Sequence, residues 1–145
     1  MRCQMHMEAF MPSYKIVLAE DHIPLRRIIK KIIQGTDGLT VVGEANDGLE
    51  LLEFLEQCLP DMVITDISMP RLGGLEATKK IKELYPQIKV LILTFHGEKD
   101  YLHQAMLTGV DGYILKKDMD QELSSAIQAV RRGKAYISPL LEANS

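Results

Sequence analysis

From residue 14 onward, apolar residues follow two alternating rhythms. Short, nearly continuous runs occupy Lys15–Ala19, Thr40–Ala45, Met62–Thr65, Lys89–Leu93 and Gly112–Leu115. Their length and apolar character read as β-strands buried on both faces. Between them the spacing changes to a helical period. Leu25, Ile28, Ile29, Ile32 and Ile33 share one face behind Pro24, a residue suited to a first helical turn. Leu51, Leu52, Leu55 and Leu59 form a second face, entered through Asp47 and Glu50 at capping-box spacing. Leu75, Thr78, Ile81 and Leu84 form a third. Tyr101, Leu102, Ala105 and Met106 form a fourth, stopped by Gly109. Leu123, Ala126, Ile127 and Val130 form a fifth, stopped by Gly133.

Strict β–α alternation predicts right-handed crossovers and a parallel sheet. Five repeats make an α/β fold, a three-layer doubly wound (βα)5 sandwich around a five-stranded parallel sheet. Ligands of such folds sit outside the carboxyl ends of the strands. Attention therefore falls on Glu20, Asp21, Asp66, Thr94 and Lys116, each at or just past a strand end. Residues 1–13 hold four of the eight methionines and no periodicity, and read as a disordered leader. Past Lys134 the pattern stops, so residues 135–145 read as the start of a linker.

Composition narrows the classes. A chain of 145 residues, 46% apolar and 26% charged, suits one globular domain. Net charge -3 argues against a nucleic-acid footprint over the whole chain. Arg26-Arg27, Lys30-Lys31 and Arg131-Arg132 with Lys134 are short basic clusters that read as solvated helix faces. No stretch approaches the roughly 18 apolar residues of a membrane helix. Cys3 and Cys58 form no C-x-x-C, and the four histidines lack close ligand spacing, so no zinc site is expected. Free thiols fit a reducing cytoplasm.

The acids carry the chemistry. With both runs in one sheet, Glu20, Asp21 and Asp66 converge at its carboxyl edge. Like charges about 4 Å apart repel by about 4 kcal/mol at an effective dielectric of about 20. Such a cluster holds a divalent cation, shares a proton, or both. Asp66 opens the loop Ile67-Ser68-Met69-Pro70-Arg71-Leu72-Gly73-Gly74, stiffened by Pro70 and turned by its glycines. Tyr113 and Lys116 follow Thr94 at fixed spacing.

Taken together, Val17-Leu18-Ala19-Glu20-Asp21, Ile64-Thr65-Asp66-Ile67-Ser68-Met69-Pro70, Leu93-Thr94 and Gly112-Tyr113-Ile114-Leu115-Lys116 resemble the receiver domain of two-component response regulators. The resemblance covers residues 14–134. Asp21-His22, Thr94-Phe95-His96 and Gly133-Lys134-Ala135-Tyr136-Ile137-Ser138-Pro139 look like the subgroup with a LuxR-type helix-turn-helix output domain. The resemblance implies a flavodoxin-like fold with strand order 2-1-3-4-5. It implies that Asp66 accepts a phosphoryl group from a sensor histidine kinase. Glu20, Asp21, Asp66 and the Ser68 carbonyl would hold Mg²⁺. Thr94 and Lys116 would contact the phosphoryl oxygens, and Tyr113 would be an aromatic switch moving with Thr94. It also implies a homodimer on phosphorylation, and DNA contact only through the output domain. Glu20 and Phe95 depart from the commoner residues at their positions. Lys117 stands where a proline is usual, so the usual cis peptide is not expected there. The alternatives are a stand-alone receiver, a phosphatase with Asp66 as nucleophile, and a flavin-binding protein. Ser68 stands where haloacid-dehalogenase-type phosphatases carry a second Asp. Glu20 and Asp21 would repel a flavin phosphate.

Overall fold

The computed structural model describes residues 13–139 and 141. The expected leader therefore lies outside the described residues except for Ser13. Elements follow in the order β1 (Tyr14–Ala19), α1 (Ile23–Gln34), β2 (Leu39–Ala45), α2 (Gly48–Leu55), β3 (Met62–Thr65) and α3 (Gly74–Leu84). Then come β4 (Lys89–Thr94), α4 (Lys99–Leu107), β5 (Gly112–Leu115), a 3-10 turn (Lys116–Asp118), α5 (Met119–Arg131) and β6 (Tyr136–Ile137). All strands pair in parallel, in the order β2-β1-β3-β4-β5-β6. The expected doubly wound sandwich is present.

Alternation along each strand sorts side chains between two cores. Val17, Val63, Val90, Ile92 and Tyr113 pack toward Leu51, Phe54, Ala77, Ile81, Leu102 and Ala105 of α2, α3 and α4. Ile16, Leu18, Ile64, Leu91 and Ile114 pack toward Ile29 and Ile33 of α1 and Leu123, Ala126, Ile127 and Val130 of α5. The central strands β3 and β5 are buried at every position, which is why they read as unbroken apolar runs.

Several expectations need correction. The sheet has six strands, because Tyr136–Ile137 pairs with β5 where only linker was read. Two residues are too few to display a period. The Ser138 N–H continues that edge by donating to the Tyr113 carbonyl at 2.9 Å. Tyr136 Oη and Ser138 Oγ both donate to the Glu122 carboxylate, at 3.1 and 3.2 Å. Ile28, Leu59, Leu84 and Met106 match the helical period yet are exposed, at 47%, 42%, 64% and 43%. The capping box is half formed: the Glu50 N–H donates to Asp47 Oδ1 at 2.9 Å, but the Glu50 carboxylate takes the N–H of Asn46 rather than that of Asp47. Cys58 is buried just past the end of α2.

The turn from β3 into α3 is what sets the sheet edge for chemistry. The Gly74 N–H donates to the Ile67 carbonyl at 2.9 Å, closing the loop on itself. A Cβ at Gly74 would overlap the Asp66 carbonyl oxygen, which is backbone and cannot swing aside. Gly74→Ala should therefore lower unfolding stability by about 2–3 kcal/mol in urea melts. An unchanged midpoint would show that the loop is not closed in this way.

Candidate functional site

Register places the acids. Ala19 pairs with Thr65 across β1 and β3, so Glu20 and Asp66 leave the sheet side by side. Thr94 pairs with Leu115 across β4 and β5, which brings Lys116 in beside them. The Lys116 ammonium lies 2.6 Å from Glu20 and 2.9 Å from Asp66. All three residues are buried, at 5%, 2% and 8% exposure. Asp21 is exposed at the rim, and one ligand atom from each of Glu20, Asp21 and Asp66 falls within 4.8 Å of the others. A cleft of about 450 Å³ opens over them, with Leu25, Ile28 and Phe95 in its lining.

Two carboxyls pair with one ammonium, and Asp21 adds a third carboxyl to the cluster. Burial pushes the Glu20 carboxyl above its usual range, and the hydrogen bonds from Lys116 and the His22 N–H offset this only in part. Burial alone would pull Lys116 down. Its hydrogen bonds to Glu20 and Asp66, with their charges, more than reverse that, so it stays protonated at neutral pH. The donors are all hard oxygens short of positive charge, which fits a small divalent cation such as Mg²⁺. The Phe95 ring, 70% exposed, stands 4.9 Å from the Lys116 nitrogen in a cation–π contact.

A second set of contacts links this edge to β5. The buried Thr94 hydroxyl accepts the His96 N–H at 3.2 Å. Tyr113, fully buried, donates its hydroxyl to the His96 carbonyl at 2.7 Å. Burial, then the charges of Glu98 and Asp66, push that phenol well above its usual value, so it remains a donor. The His96 ring shares a hydrogen bond with the Ser68 hydroxyl at 2.9 Å and stacks on Tyr101 at 4.2 Å.

The structure thus brings together Glu20, Asp21, Asp66 and Lys116, with Thr94, Tyr113 and Ser68 joined to one another through His96. The bond between Lys116 and Lys117 is trans. Sequence reasoning missed the Ser68–His96 contact and the ion pair of Arg71 with Asp47, which is buried. Neither pair has a sequence signal, because each joins loops far apart in the chain.

Comparison with known proteins settles the family. The model for the response regulator receiver domain matches residues 16–128. This chain belongs to the response regulator receiver domain family. The receiver is 43% identical over 126 residues to the oxygen regulatory protein NreC of Staphylococcus carnosus. That alignment covers 86% of this chain and 58% of NreC. It is 35% identical over 130 residues to the transcriptional regulatory protein DegU of Brevibacillus brevis, covering 90% of this chain and 55% of DegU. The receiver therefore spans little more than half the length of these relatives. Among solved structures, a LuxR-family response regulator from Aurantimonas sp. SI85-9A1 superposes with TM-score 0.87 at 31% identity, covering 90% of this chain and 94% of that one. The RcsB response regulator of Salmonella typhimurium superposes with TM-score 0.85 at 26% identity, covering 92% and 67%.

Two outcomes test this geometry. Lys116→Met leaves Glu20 and Asp66 buried without a cation. It should lower stability at pH 7 by about 3 kcal/mol. Added Mg²⁺ should restore more stability to this variant than it adds to the native protein; equal effects would deny the charge deficit. Phe95→Ala should speed labelling by acetyl phosphate, since the ring stands at the cleft; equal rates would show that it does not restrict access.

Proposed function

We propose that this chain is the phosphoacceptor receiver of a two-component response regulator, with Asp66 carrying the phosphoryl group. The observation that supports it most is the buried Asp66 held 2.9 Å from Lys116 beside two further acids. An Asp66 carboxylate oxygen attacks the phosphorus of a phosphohistidine on a sensor histidine kinase. A P–O bond forms, the P–N bond breaks, and the histidine ring, protonated beforehand on its other nitrogen, leaves as neutral imidazole with the P–N electron pair. Catalysis of this step is positioning plus charge neutralisation.

Asp21, Asp66 and the Ser68 carbonyl would hold Mg²⁺, with Glu20 beside them directly or through water. The ion, when bound, offsets charge on the phosphoryl oxygens. Lys116 supplies a fixed positive charge to another oxygen. The Thr94 hydroxyl, on its short stem, reaches the phosphoryl group only by drawing its loop inward. His96 moves with that loop, and Tyr113 is bonded to His96, so the displacement reaches β5. The chain turns over only its own acyl phosphate, formed and then slowly hydrolysed, and in that sense is not a conventional enzyme.

The relatives carry this reading further. RcsB dimers have been captured on DNA. We propose homodimerisation on phosphorylation, and DNA control through a helix-turn-helix output domain. No described helix is long and apolar enough to cross a membrane, and the proposed setting is the cytoplasm, where ATP feeds histidine kinases. A phosphatase reading gains no support, since the Ser68 side chain bonds to His96 instead of offering a second carboxylate.

Incubation with a small phosphodonor and Mg²⁺ should add the mass of one phosphoryl group to the intact protein. Chelation of the metal, or Asp66→Asn, should abolish the addition. Labelling that persists undiminished in Asp66→Asn would overturn the assignment.

A further inference from the structure

Among the described residues, Arg71 alone combines a side chain with a positive φ, at 63°. The left-handed region crowds a Cβ against backbone, and glycine enters it freely. A strained residue persists where its surroundings over-determine it. Here the surroundings are a buried carboxylate. Arg71 Nε donates to Asp47 Oδ2 at 2.7 Å, and the guanidinium lies 3.8 Å from Glu50. The Asp47 side chain is only 6% exposed, and its other oxygen caps α2 through the Glu50 N–H. Burial would raise the Asp47 carboxyl, but the hydrogen bonds from Arg71 and Glu50, with the guanidinium charge, hold it below its usual range.

Arg71 does not act alone at this junction. The Gly48 N–H donates to the Leu72 carbonyl at 2.9 Å. A Cβ at Gly48 would stand 2.5 Å from that same oxygen. The loop after Asp66 is thus clamped onto the first turn of α2 at two successive residues, 71 and 72. Only Met69 and Pro70 separate this clamp from Ser68, and the pyrrolidine ring fixes φ at one of them. Ser68 itself is exposed, and its side chain rests on His96 across the cleft. The backbone at residue 68 therefore spans two fixed points, buried Ile67 with its carbonyl bonded to Gly74 on one side and the Arg71 clamp on the other.

We propose that Arg71, anchored on Asp47, is a positioning residue that sets the Ser68 backbone for divalent-cation binding at the acid cluster. This deepens the phosphoacceptor reading and rests on it. Glycine at position 71 would relieve the backbone strain, yet arginine stands there. Its charged fork repays the strain by reaching two carboxylates of α2 at once.

The test is Mg²⁺ titration of the whole chain by calorimetry, without any phosphodonor. Arg71→Gly removes the side chain and the strain together, and should weaken Mg²⁺ binding by about tenfold, the scale typical of outer partners of a metal site. Arg71→Lys keeps a charge and should recover part of the loss. Asp47→Asn retains an oxygen to cap α2 while deleting the ion pair, and should reproduce the weakening even if Arg71→Gly folds poorly. The double variant Arg71→Gly with Asp47→Asn should bind no worse than either single one. Native affinity in Arg71→Gly or Asp47→Asn, or losses that add in the double variant, would overturn the proposal and leave the phosphoacceptor reading standing. Absence of Mg²⁺ binding in the native chain would overturn both.

Discussion

One buried lysine sets the terms for the active edge of this fold. Glu20 and Asp66 leave neighbouring strands, and both are nearly inaccessible to water. Without a cation between them, desolvation and mutual repulsion would act together. The Lys116 ammonium relieves both, at 2.6 and 2.9 Å. It does so incompletely, because Asp21 brings a third carboxyl to the same place. The remaining deficit is what would make the site receptive to the proposed divalent cation and then to a phosphoryl group. The same lysine that stabilises the metal-free protein would thus serve the loaded one without moving far.

The sheet supplies the precision. Parallel pairing in fixed register ends β1 level with β3, and β4 level with β5 two residues further on, so each functional residue lies at or just past a strand end on one edge of the sheet. Loops then translate position into response. The segment after Asp66 is closed by Gly74 and clamped through Arg71, whereas the segment after Thr94 is held by fewer bonds, from Tyr113 and Ser68 through His96. A rigid loop beside a more loosely held one suits the proposed division, in which the first positions the chemistry and the second moves. Tyr113 connects the loop after Thr94 to β5, and β5 in turn carries Ser138 and β6. The β6 edge is thus physically joined to the site.

Much of this is legible in the amino-acid sequence. Strands buried on both faces have no polar side to interrupt them, so Met62–Thr65 and Gly112–Leu115 announce themselves. Residues just beyond such runs have one place to go, which is why Asp66 and Lys116 could be placed together from order alone. Helical periodicity was less exact, because it marks a stripe and not where the stripe leaves the core. Ile28 and Leu84 continue their stripes into solvent. The C-terminal strand was too short to show a pattern. Arg71 and Asp47 meet across two loops, and only backbone conformation and burial reveal why an arginine is tolerated at a positive φ. Non-local polar contacts of this kind have no periodic signature.

The central claim is that the acid cluster is a metal site organised by Lys116 around Asp66. A crystal structure grown with Mg²⁺ and beryllofluoride, a phosphoryl mimic, tests it directly. The account predicts the ion bound by Asp21, Asp66 and the Ser68 carbonyl, with the fluoride group on Asp66 touching both Lys116 and the Thr94 hydroxyl. A cleft without the ion, with the Lys116 bridge to Glu20 and Asp66 unchanged and the mimic absent from Asp66, would contradict it.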